Sequence, residues 1–542
     1  MNKLWYKNAV IYSLDVELFR DSNGDGVGDF PGLIERLHYL AGLGVDCVWL
    51  QPFYDSPNKD DGYDVSDYYE VDKRLGDLGH FAALVDAADE VGIRIIIDLV
   101  VNHTSKEHPW FQQARKSRES KYRDYYIWSD HKPEDDGEHA VLEELQDHSN
   151  WEYDRSAKKW YYHTFFPHQP DLNISNPDVR DEIIRVMHFW LKLGISGFRI
   201  DATPHMFREK GSEKFKGDPL QILRDFREFT EIHNRDAVLL AEVDVDPKEY
   251  GKFFGNQDKM HMLFDFFLNN SIFLALARGK AIPIRKALRK LPKLGEREQM
   301  ANFLRNHDEL NLSQLSEKEK EEVFSVFAPE ERMRIFDHGI RRRLAPMLSN
   351  DRKKLEMAYS LLLSLPGTPV IRYGQELGMG ENLALKGRES VRTPMQWDNG
   401  KNGGFSEASE AQLVKAVLSE GDFGYKKLNV TDQHRNPESM LNWMGRCISF
   451  RKEMVEIGYG KWEIEKVNNP SVLALSFHYK NRVALILHNF SDKEITVSLQ
   501  FTGSDKMLDV FGDEKYEQFD PKSGEIKLSG FGYRWIRKRN IF

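Results

Sequence analysis

Apolar and polar positions along the first two-thirds of the chain fall into two alternating patterns. Short, nearly continuous apolar runs occur at 9–19 (AVIYSLDVELF), 47–52 (CVWLQP), 93–100 (IRIIIDLV), 197–201 (GFRID), 238–243 (VLLAEV), 262–267 (MLFDFF), 302–308 (NFLRNHD) and 369–376 (PVIRYGQE). Runs without polar alternation are the mark of strands buried on both faces of a parallel sheet. Between them lie stretches such as PGLIERLHYLAGLG (31–44) and FAALVDAADEVG (81–92), whose apolar residues recur at helical spacing and which end in glycine. Eight strand–helix units in one chain predict a (β/α)8 barrel, an α/β fold.

Two segments interrupt this repeat. Residues 102–173, rich in Trp, Tyr, His and charge, exceed what a strand–helix connection needs and read as an inserted subdomain. Residues 309–368 are charged and helical, and read as a lid-like insertion. Within them the run RRRLAP (341–346) reads as a solvated or salt-bridged helix face. The barrel is therefore assigned to 1–101 and 174–454. Beyond the helical LNWMGRCISFRKEM (441–454) the runs SVLALSFHYK, RVALILHNF and EITVSLQF alternate in part, so 455–542 reads as an antiparallel β-domain, a small sandwich.

Composition narrows the class. The chain has 542 residues, with 76 basic against 86 acidic side chains and a net charge of −10. No concentrated basic footprint exists, so nucleic acid is excluded as a partner. Hydrophobic content of 40 % with 12 % aromatics argues for a packed enzyme. No run approaches the ~20 apolar residues of a membrane span, and Asp15 and Glu17 break the apolar core a secretory peptide would need. Only Cys47 and Cys447 occur, too few for a disulfide framework, which fits a reducing cytoplasm. No HExxH zinc motif and no phosphate-binding GxxxxGK[ST] loop is present, so neither zinc catalysis nor an organic cofactor is expected. A homo-oligomer is left open.

The candidate chemistry sits at strand ends. The segments DLVVNH (98–103), GFRIDA (197–202), AEV (241–243) and LRNHDE (304–309) finish in polar residues that core packing would not ask for. Asp201, Glu242 and Asp308 fall at or near the C-terminal ends of three different strands, which converge on one face of a barrel. Arg199, two residues before Asp201, shares its face. Such carboxylates, with an arginine and two histidines, suit retaining glycoside chemistry. One carboxylate attacks the sugar and a protonated partner ~5–5.5 Å away releases the leaving oxygen. Arg199 would hold Asp201 ionised, whereas Glu242, between Ala241 and Val243, is better placed to keep its proton.

These four segments, together with GVDCVWLQP (44–52), QPDLN (169–173) and GTPVIRYGQELGM (367–379), resemble the α-amylase superfamily, glycoside hydrolase family 13. The resemblance implies Asp201 as nucleophile, Glu242 as general acid/base and Asp308 as transition-state stabiliser. It implies sugar contacts from Arg199, His103 and His307. The stretch DGYDVSDY (61–68) resembles the loop whose Tyr63 stacks on the first glucose and whose Asp64 holds its outer hydroxyls. Within the family, FFPHQPDLN (165–173), LRNHDEL (304–310), GIRRRLAPML (339–348) and VRTPMQWD (391–398) resemble the branch that interconverts maltose and trehalose. That branch implies Phe166 and Arg392 closing over the substrate. One departure stands out: Val243-Asp244 follows the acid where this branch carries Ala-Asn, and oligo-1,6-glucosidase-type members carry the Val.

The expected activity is transfer of a glucosyl unit within a small α-glucoside, maltose–trehalose interconversion, on substrates such as maltose and trehalose. The alternatives are an α-glucosidase or transglucosylase acting on short α-1,4 or α-1,6 glucosides and, more remotely, an inactive sugar-binding relative.

The loop DSNGDGVGD (21–29) carries a second signal. Oxygens at Asp21, Asn23 and Asp25, the Val27 carbonyl and Asp29 recur at every second position, as in the first nine places of an EF-hand loop. The bidentate Glu of the twelfth place is missing, since Gly32 stands there. A structural Ca²⁺ site is expected, with Mg²⁺ as the alternative. The resemblance implies a second cation site using Asn102 and Asp171.

Overall fold

A computed structural model describes residues 4–133, 149–207, 218–499, 507–520 and 523–538. Eight parallel strands close into a barrel: β1 Ile11–Leu14, β2 Cys47–Leu50, β3 Arg94–Leu99, β4 Gly197–Ile200, β5 Val238–Ala241, β6 Met262–Phe264, β7 Gln299–Asn302 and β8 Thr368–Arg372. Closure is made by β1 lying between β2 and β8, with Ile11 opposite both Cys47 and Val370. The continuous apolar runs are explained by what alternate residues face. Ile11, Trp49, Ile96, Leu240, Met262, Phe264 and Val370 pack into one cluster. Their neighbours Tyr12, Val48, Leu50, Ile95, Ile97, Leu239, Leu263 and Ile371 join the larger core that includes the surrounding helices. Every strand position but Arg94 is therefore buried, and no polar alternation survives.

One strand lies earlier than the sequence pattern puts it. The seventh strand is Gln299–Asn302, and LRNHD belongs to the loop that follows. The apolar Phe303 and Leu304 extended the run in the sequence, but both are buried beyond the last ladder pair.

The first excursion, after β3, contains a three-stranded antiparallel sheet of Trp128–Ser129, Lys159–Tyr162 and Trp151–Asp154. A bridge between His103, just past β3, and Asp171 closes the excursion at its root, and one between Tyr126 and Leu172 lies within it. The second, after β7, holds the helix Glu317–Phe327 and a small sheet of Leu310–Asn311, Arg334–Ile335 and Gly339–Ile340. The helix Arg352–Ser364 leads directly into β8 and packs against it. It is part of the barrel's helical ring, so this excursion ends near 351 and not at 368.

The C-terminal segment forms a five-stranded antiparallel sheet (461–464, 472–479, 482–489, 533–538, 507–512) and a two-stranded one (495–498, 525–528). Val472, Leu485, Val497, Ile526 and Ile536 fill the space they share. The larger sheet rests on Arg352–Ser364, where Trp535 Nε1 donates to Ser360 Oγ at 2.9 Å and His488 Nε2 lies 3.0 Å from the same oxygen. No described helix is long and apolar enough to cross a membrane.

Candidate active site

The site starts with strand pairing. In the β3–β4 register Asp98 sits beside Arg199, and Asp201 follows two residues later on the face Arg199 occupies. Arg199 is 2 % exposed and surrounded by carboxylates. Its Nη1 donates to Asp98 Oδ1 and Asp201 Oδ1, both at 2.5 Å, and its Nη2 lies 2.8 Å from Glu242 Oε2. Trp49 Nε1 fixes the other Asp98 oxygen at 2.7 Å. Beyond β4 the chain turns sharply at Ala202, whose φ of 44° is left-handed. That turn aims the Ala202 N–H at Glu242 Oε2, 3.0 Å away. The ends of β4 and β5 are thus locked with Asp201 and Glu242 on either side of one guanidinium.

Asp308 joins from the β7 loop. Its carboxylate meets His307 Nε2 at 3.1 Å, Arg392 Nη2 at 3.1 Å and Arg388 Nη1 at 3.3 Å. Tyr63 connects the two halves. Its hydroxyl is 2.8 Å from His307 Nε2 and accepts from Arg199 Nη1 at 3.4 Å, while its ring stacks on His307 at 5.7 Å and 13°. Asp201, Glu242 and Asp308 therefore belong to one hydrogen-bonded network, although 107 positions of sequence separate the first from the last (308 less 201).

The network spreads the three carboxyl groups apart in acidity. Burial pushes Asp201 up, Arg199 opposes it, and Asp98 and Asp308 add to the rise, leaving it at about 6. Burial acts likewise on Glu242, where Asp201 and Asp308 outweigh Arg199 and carry it to about 7. Burial also pushes Asp308 upward, but Arg388, His307 and Arg392 overcome it and hold the group far below the carboxylate range. His307 is kept neutral, chiefly by burial and by the nearby arginines. At neutral pH the arrangement offers an ionised Asp308, a mostly ionised Asp201 and a Glu242 still holding much of its proton. That is the division of labour an acid and a nucleophile require.

The Alpha amylase catalytic-domain family matches residues 15–460, and the Sucrose hydrolase-like C-terminal domain matches 482–537. The trehalose synthase/amylase TreS of Mycobacterium tuberculosis is 39 % identical over 98 % of this chain and 90 % of its own. The chain belongs to the α-amylase family. The oligo-1,6-glucosidase of Bacillus cereus is 30 % identical over 92 % of this chain and 93 % of its own. Among solved structures, an inactive double mutant of the trehalulose synthase MutB in complex with isomaltulose has a TM-score of 0.79. It is 26 % identical and covers 99 % of each chain.

For this α-amylase family member the remaining sequence-derived residues divide into two groups. His103 lies beneath Tyr63, its Nε2 3.2 Å from the Tyr63 carbonyl. Arg392 is buried and grips the Asp308 loop, donating from Nε to the His307 carbonyl at 3.0 Å and from Nη1 to Asp61. It holds the site's own acids in place. Asp64 does not reach the network. Its oxygens accept from Ser56 Oγ and from the Lys59 and Asp60 N–H groups at 3.0–3.1 Å, so the carboxylate is taken up by its own loop. Phe166 is half-buried and stacks on His168, whereas its neighbour Phe165 edges against His103 at 5.4 Å.

Sequence reasoning missed Asp98, Asp60, Asp61 and Arg388. Burial lifts Asp60 to about 7 against the pull of Arg388 and Arg392, and it accepts from Gln169 Nε2 at 2.7 Å. Asp61 is ion-paired to Arg392 and lies 3.5 Å from Lys415 Nζ. The signal for Asp60 and Asp61 lay beside Tyr63 in the same acidic stretch. Val243 is fully buried, while Asp244 accepts from Gln314 at 2.7 Å and Asn311 at 3.0 Å. The position after the acid thus ties β5 to the second excursion.

The 21–29 loop presents hard oxygens suited to a cation such as Ca²⁺, and Asp21 and Asp29 are buried. Their oxygens are already engaged. Asp21 accepts from the N–H groups of Asn23, Gly24 and Gly26 and from Ser406 Oγ, and Asp29 accepts from Gly32 N–H as the cap of helix 30–35. Among the described residues no three His, Cys, Asp or Glu side chains gather closely enough to hold a metal by themselves. Asn102 and Asp171 meet directly, Nδ2 to Oδ2 at 3.3 Å, and Asp171 also accepts from Thr164.

Proposed function

We propose that this chain is a retaining α-glucosyl-transferring enzyme that interconverts maltose and trehalose. The observation that carries the reading is the single network in which Arg199 and Tyr63 link Asp201, Glu242 and Asp308. In the first half-reaction an Asp201 oxygen bonds to the anomeric carbon as the glycosidic C–O bond breaks. The Glu242 proton passes to the leaving oxygen. In the second half, a different hydroxyl of the released glucose attacks the same carbon, Glu242 takes its proton and Asp201 departs. No water is consumed. Asp308, ionised throughout, faces the positive charge that develops at the anomeric carbon. Tyr63, His103, Arg199, His307 and Arg392 shape the pocket of the transferred glucose.

Isomerisation differs from hydrolysis only in holding the freed glucose and excluding water. The burial of the three acids, whose side chains are 10 %, 22 % and 17 % exposed, favours exclusion. The alternative, an α-glucosidase, draws support from Val243 and from the oligo-1,6-glucosidase likeness. Incubating the enzyme with maltose separates them. Trehalose as the main product is expected, and glucose with no trehalose would overturn the isomerase reading.

A structural Ca²⁺ at 21–29 is part of this proposal, held by Asp21, Asn23, Asp25, the Val27 carbonyl and Asp29. Its support is the alternate-oxygen pattern and the burial of two carboxylates, and it has no part in the reaction steps. A cytoplasmic setting is likewise proposed, supported by the two free, buried cysteines.

A further inference from the structure

The long connection that follows β8 brings a lysine back to the open face of the barrel. Val414 N–H donates to the Gly26 carbonyl at 2.9 Å, which fixes the backbone beside Lys415. The Lys415 side chain turns inward, 11 % exposed, and its ammonium ends among carboxylates from three other stretches of chain. It lies 2.5 Å from Glu389 Oε2, 3.5 Å from Asp61 Oδ1 and 3.9 Å from Glu17 Oε1. Glu17 follows β1, Asp61 lies in the connection after β2, and Glu389 stands three residues before Arg392. Burial weakens a lysine's hold on its proton, but Asp61, Glu389 and Glu17 outweigh it and keep this one above the ordinary range. Lys415 is therefore a fixed cation at neutral pH.

Two of the acids around it also contact Arg392. Asp61 pairs with Arg392 Nη1, and Glu389 Oε1 lies 3.3 Å from the same nitrogen. Nη2 is the atom that holds Asp308 Oδ1, at 3.1 Å. One guanidinium thus faces three carboxylates, two of which lean on Lys415 as well. Neighbouring cations are committed elsewhere: Arg388 to Glu309 and Asp308, and Arg74 to Glu17 and Asp72. Among the described residues, Asp61 and Glu389 have no ion-pair partner besides Arg392 and Lys415. With Lys415 gone, both would draw on Arg392 alone, in competition with Asp308. Taking away one side of a buried pair leaves the other charge uncompensated, and Arg392 is the cation within reach.

We propose that Lys415 is a positioning residue for the reaction: by neutralising Asp61 and Glu389 it leaves Arg392 free to hold Asp308. Its role rests on the part given above to Asp308 and Arg392 in glucosyl transfer. Lys415 acts through Arg392, since each of its ion pairs is with a carboxylate outside the catalytic three. The clamp matters because Asp308 faces charge that develops at the anomeric carbon, and a carboxylate displaced from that point stabilises it less. His307 and Arg388 hold the same carboxylate from other sides, at 3.1 and 3.3 Å, so loss of Lys415 weakens the clamp without abolishing it.

The test compares full-length variants on maltose with all products counted, so isomerisation and hydrolysis read alike. Lys415→Met should keep its fold by circular dichroism and lose about ten- to a hundredfold in kcat, the upper figure being the effect of a ~1 Å misplacement. KM should move by less than about twofold, because Asp308 works on the transition state. Lys415→Met/Glu389→Gln removes the cation together with one of the acids it serves. It should recover most of the lost kcat, because Arg392 is again shared by Asp61 and Asp308 alone. A lysine that only stapled loops together would give no recovery, since the double variant breaks the same contact from both ends. A crystal structure of Lys415→Met should show Arg392 turned from Asp308 toward Asp61 and Glu389. Unchanged kcat, a double variant as slow as the single, or an unmoved Arg392 overturns the proposal. If Lys415→Met does not fold, Lys415→Gln takes its place in each comparison. An unaltered enzyme without turnover on maltose would strike the glucosyl-transfer reading instead, and the position of Arg392 in the variant would then decide this one.

Discussion

The two buried charge clusters on either side of the Asp308 loop have opposite imbalances. Around Arg199 one cation serves Asp98, Asp201 and Glu242. Behind that loop the guanidinium groups of Arg305, Arg342, Arg343 and Arg372 share one close carboxylate, Glu381. A carboxylate can shed excess charge by taking a proton, and the first cluster does so, with Asp98 and Asp201 raised to about 6 and Glu242 to about 7, mainly by burial. An arginine cannot shed its proton near neutrality. Acid excess thus yields groups able to exchange protons near neutral pH, as the proposed acid and nucleophile roles require. Base excess stays as buried positive charge, held by neutral carbonyl oxygens.

The largest test of the comparison removes one acid from the crowded side. Asp201→Asn should lower kcat on maltose on the order of 10⁴- to 10⁶-fold, the range seen when a member of a catalytic set is lost. Circular dichroism should show the fold retained, because Arg199 keeps Asp98 and Glu242 as partners. With one negative neighbour gone, Glu242 should titrate lower, read as a downshift of its carboxyl resonance in a pH titration. Wild-type turnover in this variant would remove Asp201 from the mechanism.

Next in size is a paired deletion of cations. Arg199→Met strands buried carboxylates and should cost about 3–5 kcal/mol in urea unfolding, the usual penalty for breaking a buried pair from one side. Arg343→Met removes a charge that has no close counter-ion. It should cost under about 2 kcal/mol, since lost carbonyl bonds are offset by relief of repulsion. Equal costs would break the contrast.

A third test is pH. With Asp201 as the proposed nucleophile and Glu242 as the proposed acid, kcat/KM should form a narrow bell with limbs near 6 and 7, which belong to the coupled pair. Stability carries the matching sign. Both groups have folded-state values above their unfolded ones, so the folded protein binds more protons, and their contribution fades as pH rises from about 4 through about 7. Glu242→Gln should abolish the alkaline limb and flatten that part of the stability curve. Arg372, brought down by burial to about 9, should leave the range below untouched.

How legible all this was follows the same physics. The barrel could be read because burial on both faces of each strand leaves an unmistakable composition, and Asp201 and Glu242 because they cap such runs. Asp98 was quoted as a strand-end residue but given no part, since its role comes from lying beside Arg199 in the β3–β4 register, a cross-strand fact. Asp308 was found although its strand was misplaced, because the polar run after Leu304 marks a loop wherever the ladder stops. Asp64 was named because DGYDVSDY resembles the family loop, but its carboxylate is taken up by its own loop while the unnamed Asp60 reaches Gln169, a difference that only backbone geometry decides. The buried arginine cluster was hidden for the converse reason: RRR in a charged segment has the composition of a surface, yet Arg343 is 4 % exposed.

The smallest expected effect concerns a third way of compensating charge. In the 21–29 loop the buried Asp21 is met by three backbone N–H groups and the Ser406 hydroxyl, at 2.5–3.0 Å, with no cation side chain among them. Gly26 makes this possible: at φ +97° its N–H reaches Asp21, and a Cβ there would strike the Gln412 carbonyl. Neutral donors satisfy the lone pairs and leave the charge, which the Ca²⁺ proposed at Asp21, Asn23, Asp25, the Val27 carbonyl and Asp29 would balance. Chelation should then lower the melting temperature by roughly 2–4 °C, the equivalent of about 1 kcal/mol in a sizeable domain. Added Ca²⁺ should restore it, whereas added monovalent salt should not. A melting curve that ignores chelator would mean that backbone dipoles alone carry Asp21, and that N–H donors can do for one buried carboxylate what Arg199 does for three.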